Sequence, residues 1–392
     1  MNMTAMFTGA ETALPVEYTS RLDAYIATAD FDRPTLVIDV DRVETQYRAL
    51  KAGLGRADIH YAVKANPAGA ILRRLAGLGS NFDAASRAEV EACLEAGATP
   101  DRISFGNTIK RPADIAWAAA QGITLFAADA EEELEKIAEN APGAQVYIRL
   151  IVEVSEADWP LTRKFGCDAD EALRLLDVAK SLGLSPIGFS FHVGSQTRKA
   201  TMWAPALDAL ARTWHAARAA GHDLTLLNIG GGFPAFYDEE VDAPEAYAAD
   251  VMRLVTDRFG DVARIMAEPG RGMVAEAGTI VAEVLMVSRK STRDLHRWVF
   301  LSIGRFSGLA ETEGEAIRYR FETARDADPM GACIMAGPSC DSADVLYEKR
   351  PMPLPLSLKA GDRVLIRNTG AYTSTYSSVN FNGFPPLAVV CI

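Results

Sequence analysis

From about residue 35, apolar positions along the chain fall into short runs separated by longer stretches in which Ala, Leu, Glu and Arg dominate. The runs lie at 35–38, 59–63, 103–105, 123–126, 146–150, 187–191, 224–229 and 265–266. Between them, 87–96, 129–139, 171–182 and 202–220 predict helices. Strand–helix alternation predicts parallel strands joined by crossover helices. Eight such units are the number that closes a (β/α)8 TIM-like barrel, which we expect over 36–277 in preference to a doubly wound open sheet. After residue 277 the rhythm changes. Strands are expected at 279–287, 298–302 and 363–367, with Gly, Pro and Asp between them, so 278–392 together with 1–35 is expected to form a mostly β domain. The segment 352–357 (MPLPLS) reads as a proline-punctuated connector.

Charge narrows the partners. Asp and Glu outnumber Lys and Arg by 52 to 40, and a net charge of -12 argues against a nucleic-acid partner. Five cysteines without a CxxC pair predict neither a disulfide framework nor a zinc cluster. The first 20 residues carry Glu11 and Glu17 and lack a basic start followed by an apolar stretch, and no apolar run reaches membrane-spanning length. A cytoplasmic protein is the expectation.

Barrels concentrate chemistry where strands end. Lys64 ends the run of Tyr61-Ala-Val-Lys64-Ala-Asn66-Pro67, where it could serve as a reactive amine or simply snorkel to the rim. His192, after Phe191, could stack on a flat ring, bind metal, act as a base or merely pack. Gly230-Gly231-Gly232 follows the next run, and three glycines let backbone N–H groups approach a phosphate, although a tight turn needs them too. Glu268-Pro-Gly-Arg271 ends the last run with a carboxylate that suits a protonated ring nitrogen and a guanidinium that suits a phosphate, although the two could simply form a surface ion pair. None decides alone. Together they make the set that pyridoxal 5'-phosphate requires.

The motifs YAVKAN (61–66), FDAAS (82–86), HVGSQ (192–196), GGGFP (230–234), EPGR (268–271), GLAET (308–312), GPSCDSAD (337–344), GAYT (370–373) and FNGF (381–384) run through most of the chain. In this order they resemble the fold-type III decarboxylases of ornithine, lysine, arginine and diaminopimelate, and look most similar to the bacterial ornithine branch. The resemblance implies a barrel plus a β domain, and decarboxylation of a basic L-amino acid, ornithine to putrescine, as in polyamine biosynthesis. Lysine or another modified basic amino acid is the alternative.

It further implies that Lys64 binds the cofactor aldehyde, with Asp83 and Glu89 supporting the site. His192 would stack on the ring and Glu268 would keep its nitrogen protonated. Ser195, Gly231, Gly232, Arg271 and Tyr372 would hold the phosphate, and Arg149 matches a family active-site arginine. In the family the C-terminal motif reaches the other subunit of a homodimer with shared active sites. Cys340 would there donate a proton after CO2 loss, and Asp341 would bind the distal ammonium of the substrate.

One departure concerns the run Leu301-Ser302-Ile303-Gly304. Many relatives carry an acidic residue before this glycine as a second anchor for that ammonium. We expect Ser302 in its place, unable to supply the charge unless Glu311 or Glu313 compensates; the cost would be roughly 10- to 100-fold in binding. Two rivals share the resemblance. A non-catalytic decoy would be expected to lack the lysine or the cysteine, and an alanine-racemase-like enzyme would carry Arg at the position of Glu268.

Overall fold

The computed structural model describes residues 16–152 and 164–392. Glu11 and the rest of the first 15 residues, on which the expectation about a leader partly fell, lie outside them.

The first strand, β1 (Thr35–Ile38), is followed by eight parallel strands that close into a barrel: β2 (Asp58–Ala62), β3 (Asn81–Ala84), β4 (Ile103–Phe105), β5 (Leu125–Ala128), β6 (Gln145–Arg149), β7 (Ser185–Ser190), β8 (Leu226–Asn228) and β9 (Arg264–Ala267). Alternation within the strands builds two separate cores. Leu125, Ala127, Tyr147, Leu226 and Met266 meet one another inside the barrel. Their strand neighbours Phe126, Ile148, Leu227 and Ile265 face outward and join the large core beneath the helices. The expected helices lie at Arg87–Glu95, Glu131–Asn140, Ala169–Ser181 and Ala204–Ala219. Asp168 caps one of them by accepting from the Glu171 N–H at 2.9 Å.

A nine-stranded sheet forms the rest: β1 with β10 (Gly278–Ser288), β11 (Arg297–Leu301), β12 (Arg320–Thr323), β13 (Met330–Ala336), β14 (Val345–Leu346), β15 (Met352–Pro355), β16 (Arg363–Arg367) and β17 (Ala388–Cys391). A barrel with a second, mostly β part is the architecture the rhythm predicted. Three elements differ from the expectation. The run at 35–38 is not a barrel strand, because β1 pairs antiparallel with β10 and parallel with β17. The barrel strand that takes its place in the count is β3, whose sequence NFDA puts Asn81 and Asp83 on the inward face and so breaks the apolar run. The supposed connector contains β15, which pairs with β13. Its prolines sit in a strand that pairs with β13, and at the edge of a sheet a missing N–H is tolerated.

Among the described residues, no helix is long and apolar enough to cross a membrane, and no group of three or more His, Cys, Asp or Glu could hold a metal ion.

Candidate active site

Immediately after β2 the chain turns through a short 3-10 segment, Val63–Ala65, which carries Lys64. Val63 and Ala65 are buried, while Lys64 keeps an open side chain. The turn is fixed from three sides. Tyr61 Oη donates to the Asn66 carbonyl at 2.8 Å, Asn66 Nδ2 donates to the Gly370 carbonyl at 2.8 Å, and the Tyr372 N–H donates to the Ala65 carbonyl at 2.9 Å. Tyr372 adopts φ +54°, a left-handed conformation that a tyrosine holds only when its surroundings impose it.

Charges converge on Lys64. Enclosure in the barrel mouth works to lower its pKa, but Tyr372, Asp83 and Glu268 outweigh that effect, with Arg149 opposing, and the net shift is upward. Asp83 ends β3, and its own carboxyl is pushed up by burial despite the nearby Lys64 and Arg149. Space for it comes from Gly106, where a Cβ would lie 1.8 Å from Asp83 Oδ1. Glu89 stands one turn away and accepts from the Ala85 N–H at 2.6 Å, tying the loop after β3 to its helix.

Glu268 follows β9. Burial, then Asp83, pushes its carboxyl up to about 7, while the hydrogen bond from Asn228 works the other way. Asn228 Nδ2 donates to Glu268 Oε1 at 2.5 Å, and Asn228 Oδ1 accepts from the Gly230 N–H at 2.8 Å. One side chain thus aligns the carboxylate with the glycine loop. His192 Nδ1 accepts from the Gly194 N–H at 3.0 Å, which leaves the proton of a neutral ring on Nε2. Burial, followed by Arg149 and Lys64, holds its pKa well below the usual histidine range.

The glycine loop packs against this histidine. A Cβ on Gly231 would lie 2.8 Å from the Glu268 carbonyl and 3.0 Å from His192 Nε2; one on Gly232 (φ +113°) would lie 2.6 Å from Val193 Cγ2. Beside the loop, Ser195 Oγ accepts from Arg271 Nε and Nη2 at 3.1 and 3.0 Å. Arg271 also donates to Tyr237 Oη at 2.9 Å, and its guanidinium lies 4.9 Å from the centre of the Tyr372 ring. Buried Thr197 Oγ1, 3.3 Å from the Cβ position of Gly232, has no hydrogen-bond partner. A cradle that any side chain would fill, an orphaned hydroxyl at its edge and an arginine beside it fit the phosphate of a pyridoxal cofactor.

Ser302, Glu313, Cys340 and Asp341 find their partners outside this cluster, whereas Glu311 pairs with Arg271 within it. Ser302 Oγ accepts from the Glu283 N–H at 2.9 Å and faces a separate groove of about 440 Å³ lined by Phe31, Pro34, Leu285 and Phe384. Just beyond the end of β11, its hydroxyl is thus engaged by the backbone of β10. Glu311 does not compensate as a free carboxylate, since both its oxygens accept from Arg271. Glu313 pairs with Arg305. Cys340 and Asp341 sit on an exposed turn of the second sheet, where the Cys340 N–H donates to Asn382 Oδ1 at 3.0 Å. Asn228, Gly106 and Tyr237 escaped the sequence reading as site residues. Asn228 was visible at the head of the glycine motif, whereas nothing in the residue pattern marked the other two.

The pyridoxal-dependent decarboxylase, pyridoxal binding domain family matches residues 40–275. The lysine/ornithine decarboxylase of Selenomonas ruminantium is 36% identical over 351 residues, which cover 90% of this chain and 87% of that protein. The structure of a lysine/ornithine decarboxylase from Vibrio vulnificus complexed with cadaverine is similar, with TM-score 0.85 and 31% identity over 97% of this chain and 100% of that one. A structure of SrLDC in complex with PLP and cadaverine reaches TM-score 0.84 at 32% identity, covering 97% of this chain and 94% of that one.

Proposed function

The chain belongs to the pyridoxal-dependent decarboxylases, and from that membership we propose that its preferred substrate is ornithine, converted to putrescine and CO2. It uses pyridoxal 5'-phosphate to decarboxylate a basic amino acid. The observation that carries the assignment of roles is the convergence of Asp83, Glu268, Arg149 and Tyr372 on Lys64, beside the glycine cradle.

When bound, the cofactor supplies an aldehyde and a pyridine ring that accepts the electron pair left when the carboxyl group departs. Lys64 Nζ is the amine placed to hold that aldehyde and to be displaced by the amine of the substrate. Glu268 is placed to keep a proton on the ring nitrogen, because a carboxylate opposite that nitrogen favours its charged, protonated form. Asn228 fixes the orientation of that carboxylate. A neutral His192 offers its flat face without adding charge. Ser195, Gly231, Gly232, Arg271 and Tyr372 hold the phosphate.

Cys340 and Asp341 take the roles of proton donor and ammonium anchor in the site of a second subunit. Their exposure on an ordered turn supports this reading, because they are presented outward. The CDS sequence at 340–342 supports a simple diamine product. Lysine is the competing substrate, as the names of the Selenomonas and Vibrio relatives suggest.

Release of CO2 from a panel of basic L-amino acids tests the assignment. Ornithine is expected to give the highest kcat/KM, followed by lysine. A higher value for lysine would overturn the ornithine preference, and product that retained the carboxyl group would overturn decarboxylation itself.

A further inference from the structure

Glu311 enters the phosphate corner from the second sheet, on the short turn Ala310–Glu315. Its carboxylate accepts from Arg271 twice, Nη2 to Oε1 at 2.5 Å and Nη1 to Oε2 at 2.8 Å. Both side chains are deeply buried, at 3% and 6% exposure. The fork of the guanidinium is therefore closed by an anion that belongs to the protein. Its other edge, Nε and Nη2, is held by Ser195, next to the segment that packs on Gly232.

This arrangement has two electrostatic consequences. An unpaired guanidinium at this depth would be costly, so Glu311 stabilises the cofactor-free fold. A phosphate dianion arriving beside Arg271 meets a cation that is already neutralised and, behind it, a like charge. We propose that Glu311 is a resident counter-charge that sets the phosphate affinity of this corner, holding it below what Arg271 alone would give. The inference rests on the assignment of Ser195, Gly231, Gly232 and Arg271 to the phosphate.

The test compares the full chain, stripped of cofactor, with Glu311→Gln, Glu311→Asp and Ser195→Ala. Affinities are measured for pyridoxal phosphate, inorganic phosphate and pyridoxal, which lacks the phosphate, with thermal melts before and after loading. E311Q is expected to melt lower without ligand and to bind pyridoxal phosphate and inorganic phosphate about tenfold or more tightly. Its affinity for pyridoxal should stay within about twofold of wild type, which a general structural defect would not allow. E311D keeps the charge and is expected to keep near-wild-type phosphate affinity.

Unchanged or weaker phosphate binding by E311Q would overturn the proposal, as would an equal shift for pyridoxal. Equal tightening in E311D would do the same, since charge would then not be the cause. If E311Q does not refold alone, refolding with pyridoxal phosphate is expected to recover it, because the dianion replaces the lost charge; no recovery would count against the proposal. S195A that still distinguished pyridoxal phosphate from pyridoxal as wild type does would remove the phosphate assignment, and the inference with it. A loss of that distinction in S195A, with E311Q unchanged, would overturn the inference alone.

Discussion

Glu268 shows how a single carboxyl links stability to pH. Its pKa is about 7 in the folded, cofactor-free protein, against an ordinary value of 4.5. Between these values the folded chain carries a proton that the unfolded chain has lost, so stability falls as pH rises through the window. The gap corresponds to at most ~3 kcal/mol. Glu268→Gln removes this slope. Thermal melts of cofactor-free protein from pH 5 to 8 should show wild type losing ground to E268Q as pH rises; parallel curves would refute it. His60 acts with the opposite sign. Inside the barrel its pKa is pushed down to about 3, chiefly by burial and then by Arg264. Its contribution is lost as pH falls below about 6.5, where the unfolded histidine gains its proton. At this scale the sequence was informative where the type of side chain and its place after a strand mark a candidate. Lys64, His192, Glu268 and Arg271 each follow a barrel strand by a few residues and stand within three positions of a Gly or Pro. Gly106 and Tyr237 were illegible because they act through position: one leaves room for Asp83, and the other receives a hydrogen bond from Arg271.

At the scale of elements, seven of the eight barrel strands announced themselves by apolar runs, and β3 did not. Its inward face carries the polar groups of the site, so the requirement of function erased the signal of the strand. β1 failed in the other direction. It is apolar and buried like a barrel strand, yet its partners β10 and β17 are set by contacts far along the chain that local pattern does not encode. Closure of the barrel makes its own demand on sequence at Gly188, where β7 lies so close to β8 that a Cβ would stand 1.7 Å from the Leu226 carbonyl oxygen. A backbone oxygen in a ladder cannot rotate aside. Gly188→Ala is therefore expected to cost about 1–3 kcal/mol by forcing β7 and β8 apart. A shift of the urea midpoint measures it, and a midpoint equal to that of wild type would contradict the close approach.

At the scale of the whole molecule, the site belongs to neither part alone. Lys64 lies on a barrel turn held by Gly370 and Tyr372, and Arg271 is paired with Glu311 across the same junction. The exposed Cys340–Asp341 turn extends this sharing outward, to a second subunit on our reading. Mixing inactive Lys64→Ala protein with inactive Cys340→Ala protein should then restore up to about a quarter of wild-type activity, because a randomly mixed dimer has one intact site in half of its molecules. No recovery after demonstrated subunit exchange would place both residues in one subunit or remove Cys340 from the chemistry.

The pairing of β1 with β17 also imposes an order of assembly. A ribosome that has delivered every barrel strand through Ala267 has not yet delivered Ala388, the partner of Thr35. The barrel can therefore close during synthesis, while one edge of β1 stays without its neighbour until the distant strand emerges. During that interval the nascent chain presents an apolar, unpaired strand edge, the kind of surface that invites pairing with other chains. Completion of the second sheet, rather than closure of the barrel, is the step in the birth of this protein at which a chaperone has most to protect.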